Sequence, residues 1–238
     1  MSLAPVSASL ARLTERALDL LFPRRCAGCG SEGRFLCRDC LAALKPLVPP
    51  ICAHCGKPSR APGLCSDCRV RPLALAGIRA AFVYEGPLRD AILQFKYRGV
   101  SSLADELAPL LCGYLVRRPL ACDVIVAVPL SADRLKARGY NQAAMLASRM
   151  GALLRLPEAP RALRRVRSTG VQARLASWEQ RYANVAGAFQ AEPRWVTGKR
   201  VLVVDDVCTT GATLEACGQA LKAAGATAAW GLALAREV

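Results

Sequence analysis

A chain of 238 residues has room for one large domain, or for a medium one with a small appendage. Its 33 basic and 18 acidic residues leave a formal charge of +15, a field that attracts nucleic acid, nucleotides and sugar phosphates without choosing among them. Apolar residues make up 53% and aromatic residues only 5%, so the core must be built from Leu, Val and Ala, and the single histidine excludes triad-type hydrolases.

Residues 1–22 read as a helix and not as an export signal. Arg12, Glu15, Arg16 and Asp19 break any continuous apolar run, while Leu10, Leu13, Ala17 and Leu21 fall on one helical face that Pro23 closes. No stretch reaches membrane-spanning length, so the expectation is a cytoplasmic protein without membrane insertion. In a reducing compartment, twelve cysteines point to metal ligands and core filler before disulfides.

Residues 23–71 carry four CxxC pairs: Cys26/Cys29, Cys37/Cys40, Cys52/Cys55 and Cys65/Cys68. Two thiolates three positions apart wrap one ion from a single turn, and two such turns complete a tetrahedron. The segment is therefore expected to be a double zinc ribbon holding two structural Zn²⁺, with sequential or cross-braced pairing left open by the spacing. So small a module should depend on its metal to fold. His54, beside Cys55, is expected to be a knuckle residue donating a supporting hydrogen bond, because thiols already fill the site.

Pro72–Gly77 reads as a linker into a second domain over 78–238. Ala80–Tyr84 is expected to be a strand and Pro87–Tyr97 a helix that ends in Lys96, Arg98 and Gly99; those cations could meet an anion or simply complement the helix dipole. Leu103–Val116 reads as a helix interrupted by Pro109. Val124–Val128 is a buried strand, and the loop after it carries Arg134, Lys136 and Arg138 where open parallel sheets bind ligands. Asn141 can cap a helix over Gln142–Leu154. Arg161–Phe189 is the most basic region. Arg164, Arg165, Arg167, Arg174 and Arg181, with Gln172, Trp178 and Tyr182 among them, suit single-stranded nucleic acid or a lid over a phosphorylated ligand, and Ser168–Ser177 reads as a mobile loop.

The stretch that organises the domain is Val201–Thr213, VLVVDDVCTTGAT. Val201–Val204 reads as a strand buried on both faces, followed by Asp205 and Asp206, then Thr209, Thr210, Gly211, Ala212 and Thr213, then a helical pattern over Leu214–Ala224. Loop and helix N–H groups can hold a phosphate, and two carboxylates can accept hydrogen bonds from neighbouring sugar hydroxyls. With a last strand over Ala229–Ala235, alternating strands and helices give an α/β domain with a parallel sheet flanked by helices.

Strand, acid pair and T-T-G-x-T loop resemble the 5-phosphoribosyl 1-diphosphate (PRPP) motif of type I phosphoribosyltransferases. Taken with the four CxxC pairs, Val126–Ala143, Arg164–Gln172 and Asn184–Phe189, the chain from about residue 15 onward resembles the ComF family of competence-associated proteins. Ser131 stands where many members carry histidine, and Ser168–Gln172 replaces a commoner D-T-P-P-Q.

The resemblance implies an N-terminal double zinc ribbon, a type I phosphoribosyltransferase-like domain that takes PRPP with Mg²⁺, and a role in natural transformation. That role would mean handling single-stranded DNA beside an uptake helicase. Asp205 and Asp206 would hold the ribose diol, Thr209–Thr213 the 5-phosphate, and Arg134, Lys136 or Arg138 the diphosphate. Thr209 stands where purine-salvage enzymes usually place an aspartate, which disfavours a purine acceptor. Two functions follow: a PRPP-dependent transferase, or a non-catalytic adaptor that uses the same site only to hold a ligand while the ribbons and basic lid grip DNA.

Overall fold

The computed structural model describes residues 24–71, 73–168 and 177–238. The expected helix over 1–22, Pro72, and residues 169–176 of the expected mobile loop, with Gln172 and Arg174, lie outside them.

The ribbon region is a structural repeat. In its first half Cys26 N–H donates to Ser31 O and Gly30 N–H to Cys26 O; in its second half Cys52 N–H donates to Lys57 O and Gly56 N–H to Cys52 O. Each half then ends in a one-turn helix, α1 (Arg38–Ala42) and α2 (Ser66–Val70), whose N-caps are Cys37 and Cys65. Between the halves, Lys45–Leu47 bonds to the edge of the main sheet: Leu47 N–H donates to Ala81 O at 3.0 Å and Val83 N–H to Lys45 O at 2.9 Å. The first ribbon therefore shares one core with the second domain, with Leu36, Leu44 and Leu47 buried in it, while the buried cysteines of the second, Cys52, Cys55 and Cys68, form a cluster of their own.

The second domain contains β1 (Gly77–Val83), α3 (Gly86–Tyr97), α4 (Leu103–Arg117), β2 (Val124–Ala127), α5 (Ala132–Arg138), α6 (Gln142–Leu154), β3 (Leu163–Arg165), α7 (Trp178–Val185), β4 (Phe189–Ala191), α8 (Pro193–Val196), β5 (Arg200–Cys208), α9 (Ala212–Ala223) and β6 (Ala228–Arg236). Four strands form a parallel sheet in the order β1-β6-β5-β2, and β3 pairs antiparallel with β4. Val201–Val204 are fully buried, as the unbroken aliphatic run requires of a central parallel strand. Helices α4 and α6 pack together on the sheet, while α9 packs on β5 and β6 with α7 and the small hairpin.

Two elements differ from expectation. Strand β5 continues to Cys208, so Asp205 and Asp206 lie within it and not beyond its end; β6 pairs alongside as far as Cys208↔Arg236 and keeps the chain extended. Helix α4 runs through Pro109 unbroken. Pro109 and Asp105, whose carbonyl loses a partner, are both exposed, so water can take the missing hydrogen bond.

Candidate phosphoribosyl site and zinc ribbons

Strand β5 runs four residues past the partner of Ala127, the last residue of β2, and those residues with the segments that follow both strands line a cavity of about 870 Å³ at the carboxyl end of the sheet. Asp205, Asp206 and Thr209–Leu214 line one side, with Arg134, Arg138, Arg165 and Arg181 among the cations around it. Gly211 makes the sharp entry into α9. Its φ is +85°, a left-handed value, and a Cβ there would stand 2.8 Å from Ile78 Cδ1, so both backbone and space call for glycine. Thr210 Oγ1 accepts from Ala212 N–H at 3.4 Å within this turn.

The loop after β2 is helical. Ser131 caps α5 by accepting from Arg134 N–H, and Gly139 closes it in the left-handed region. Arg134 and Arg138, four positions apart, share the face on the cavity; Lys136 lies between them in sequence and is exposed, outside the lining. Asn141 caps α6 as its sequence position suggests, and its Nδ2 donates to Val128 O at 2.9 Å.

The basic region divides by geometry. Arg181 Nη1 donates to Thr209 Oγ1 at 2.7 Å, which brings α7 against the Thr209–Thr213 loop. Arg165 reaches the cavity with its guanidinium 5.4 Å from the Phe189 ring. Arg167 donates to Asn184 O and Ala186 O, and Arg164 bonds Gln190 and pairs with Glu192, so both are committed to the hairpin and its surroundings.

Lys96 is the site residue that the sequence left ambiguous. Its Nζ lies 2.8 Å from Asp206 Oδ1, with both side chains largely buried. The turn of α3 that carries it is pinned: Phe95 O accepts from Tyr140 Oη at 2.6 Å and from Gln142 Nε2 at 3.1 Å. Burial pulls the Lys96 ammonium down, but the Asp206 carboxylate outweighs it by charge and hydrogen bond and leaves it above its ordinary value. Among the described residues Asp205 has no such ion pair. Burial and the neighbouring Asp206 charge push it up to about 7, while its Oδ1 accepts from Asp206 N–H at 2.8 Å. One acid is thus held by a cation and the other sits near its titration point in the same cavity.

The eight ribbon cysteines form two sequential sets, Cys26/Cys29/Cys37/Cys40 and Cys52/Cys55/Cys65/Cys68, and within each set the sulfurs lie within 4.8 Å of one another. Cys37 N–H donates to Cys26 Sγ and Cys65 N–H to Cys52 Sγ, both at 3.3 Å. Burial raises Cys26 and Cys52, but several backbone donors outweigh it and bring both down to about 6. Burial and the neighbouring sulfurs push Cys40 and Cys68 well up. Four thiolates so close need a cation to coexist, and each set fits a structural Zn²⁺. Cys112, Cys208 and Cys217 are buried, consistent with core filler.

His54 does something its place in the knuckle did not suggest. Its Nε2 pairs with Glu215 Oε1, in the first turn of α9, and both side chains are 5% exposed. Glu215 Oε2 also accepts from Ala74 N–H at 2.9 Å.

A double zinc ribbon domain model matches residues 17–69, and a phosphoribosyl transferase domain model matches residues 130–234. The chain is 33% identical over 198 residues to the DNA utilization protein YhgH of Salmonella typhi, covering 80% of this chain and 86% of that protein. It is 31% identical over 212 residues to competence protein F of Haemophilus influenzae, covering 84% and 90%. It is 26% identical over 231 residues to competence protein ComFC of Bacillus subtilis, covering 88% and 83%. Among solved structures, an allosteric regulatory enzyme of purine biosynthesis aligns with 56% of this chain and 26% of its own at 25% identity, with a TM-score of 0.40. Two ribbons of four cysteines each, a parallel sheet bearing the acid pair and the glycine-turned loop after it, and relatives matched along most of their length give one conclusion: the chain belongs to the ComF family.

Proposed function

We propose that the cavity at the carboxyl end of the sheet binds PRPP and that the protein serves the handling of incoming DNA. One observation carries the ligand: a single cavity brings together two carboxylates, a glycine-turned helix N-terminus and several guanidinium groups. In this reading Thr209–Thr213 hold the 5-phosphate, Asp205 and Asp206 accept the ribose hydroxyls, and Arg134 and Arg138 face the diphosphate. Mg²⁺, bound through PRPP oxygens, would neutralise diphosphate charge. Lys96, paired with Asp206 at 2.8 Å, fixes that carboxylate in place.

If transfer occurs, the C1–O bond to diphosphate breaks as a nucleophile attacks C1. The acids stabilise the cationic ring and the arginines the departing anion, so positioning and electrostatics suffice. The names of the relatives, DNA utilization and competence proteins, support the second half of the proposal; single-stranded DNA as ligand and an uptake helicase as neighbour are what the family resemblance implies.

Calorimetry with PRPP and Mg²⁺ on the intact protein and on Asp205→Asn/Asp206→Asn tests the site; heat of binding that survives in the double variant overturns it. A non-catalytic adaptor is the second reading, favoured by Arg181, which already occupies Thr209 at the loop. Diphosphate release with candidate bases or amines separates the two. The adaptor predicts instead single-strand binding that weakens steeply with salt, by about 0.7 in log K per log salt for each neutralised phosphate.

A further inference from the structure

We propose that His54 and Arg236 are positioning residues through which the second zinc ribbon braces the phosphate loop, so that zinc held by Cys52, Cys55, Cys65 and Cys68 and a sugar phosphate held at Thr209–Thr213 strengthen each other's binding. This rests on the PRPP reading above.

The second knuckle touches both ends of that loop. On the strand side, Arg236 is fully buried, and its Nη1 donates to Cys55 O at 2.7 Å and lies 3.0 Å from Cys208 Sγ, the residue just before Thr209. On the helix side, His54 pairs with Glu215, one turn into α9. Between them, Ile78 N–H donates to His54 O at 2.6 Å, and the tip of the same Ile78 side chain packs where a Cβ on Gly211 would stand. The knuckle comes so close to β1 that a Cβ on Gly56 would lie 2.5 Å from Ile78 O.

Arg236 supplies the reason zinc should matter. Its Nε and Nη2 are buried without hydrogen-bond partners among the described residues. An unpaired buried guanidinium is costly unless an anionic group lies nearby, and four thiolates on one Zn²⁺ form such a group beside it. Zinc would thus anchor Arg236, Arg236 the end of β5, and His54 the start of α9.

The first ribbon is attached elsewhere. Phe35 and Leu36 N–H groups donate to Glu106 on α4, and Gln94 on α3 donates to Ala27 O. It touches neither the end of β5 nor α9 in any of these bonds, so it serves as an internal reference.

The experiment measures per-cysteine alkylation by mass spectrometry on the zinc-loaded full chain during a chelator challenge. It is run with and without PRPP–Mg²⁺ at a concentration where calorimetry shows saturation. Coupling between sites is reciprocal and commonly about 5-fold or more. We therefore expect PRPP to slow alkylation of Cys52, Cys55, Cys65 and Cys68 by about 5-fold while Cys26, Cys29, Cys37 and Cys40 react at unchanged rates. In His54→Gln, a mild change at a buried site, the selective protection should shrink. Equal protection of both sets, or of neither while calorimetry shows binding, overturns the inference. Absence of any calorimetric binding overturns the PRPP reading first and this one with it.

Discussion

Replacing Lys96 by methionine, which keeps the bulk of the side chain and removes its charge, tests the most buried ion pair of the site. At 2.8 Å in an effective dielectric of about 20, the pair's gross attraction is about 6 kcal/mol. Withdrawal of both ions from water offsets several kcal/mol of it, so the pair itself gives little net stability. Breaking it from one side is different. Asp206, 7% exposed, is left without its cation, and the loss should be about 3 kcal/mol. For a chain of this size that lowers Tm by about 6–12 °C. Asp206→Asn alone should cost a similar amount by stranding Lys96. The double variant, with no charge left to compensate, should recover about 1–3 kcal/mol relative to the sum of the singles. Denaturant melts of the four proteins, zinc-loaded and without ligand, read the cycle. Strictly additive losses would refute the claim that Asp206 depends on Lys96.

Three further outcomes are expected. Asp205, pushed up to about 7 by burial and Asp206, favours its protonated form when folded; it therefore loses stability as pH rises from the ordinary carboxylate range through 7, a loss on the order of 2 kcal/mol once water in the cavity is allowed for. Asp205→Asn should accordingly gain on the parent between pH 5 and pH 8 in thermal melts, and a difference that is flat with pH refutes this. Gly211→Ala forces a left-handed alanine, about 1–2 kcal/mol, and presses its Cβ on Ile78 Cδ1, so PRPP affinity by calorimetry should fall about 10-fold or more, with partial rescue by Ile78→Val. Metal analysis of the purified chain should give about two zinc ions, and Cys26→Ser about one; an unchanged content of two would mean that Cys26 is not needed to hold the ion of the first set.

Much of this protein was legible before any coordinate. The CxxC spacing gave the eight ligands because a thiolate pair on one turn is a local feature, while which pairs share a set was left open and the fold makes them sequential. The four aliphatic residues from Val201 marked a doubly buried strand, again within one short segment. Asn141 as a cap is of the same kind: the physics lies within a few bonds of the residue.

Contacts between distant segments were decided by tertiary structure alone. That Arg134 and Arg138 face the cavity while Lys136 does not follows from the loop's turning helical under its Ser131 cap. Lys96 joins the acids only because Tyr140 and Gln142 hold the end of α3 beside β5, about a hundred residues away in sequence. His54 could be read as a knuckle residue, but its partner is Glu215, and only the packing of ribbon on sheet brings that pair together in a shared, water-poor interface.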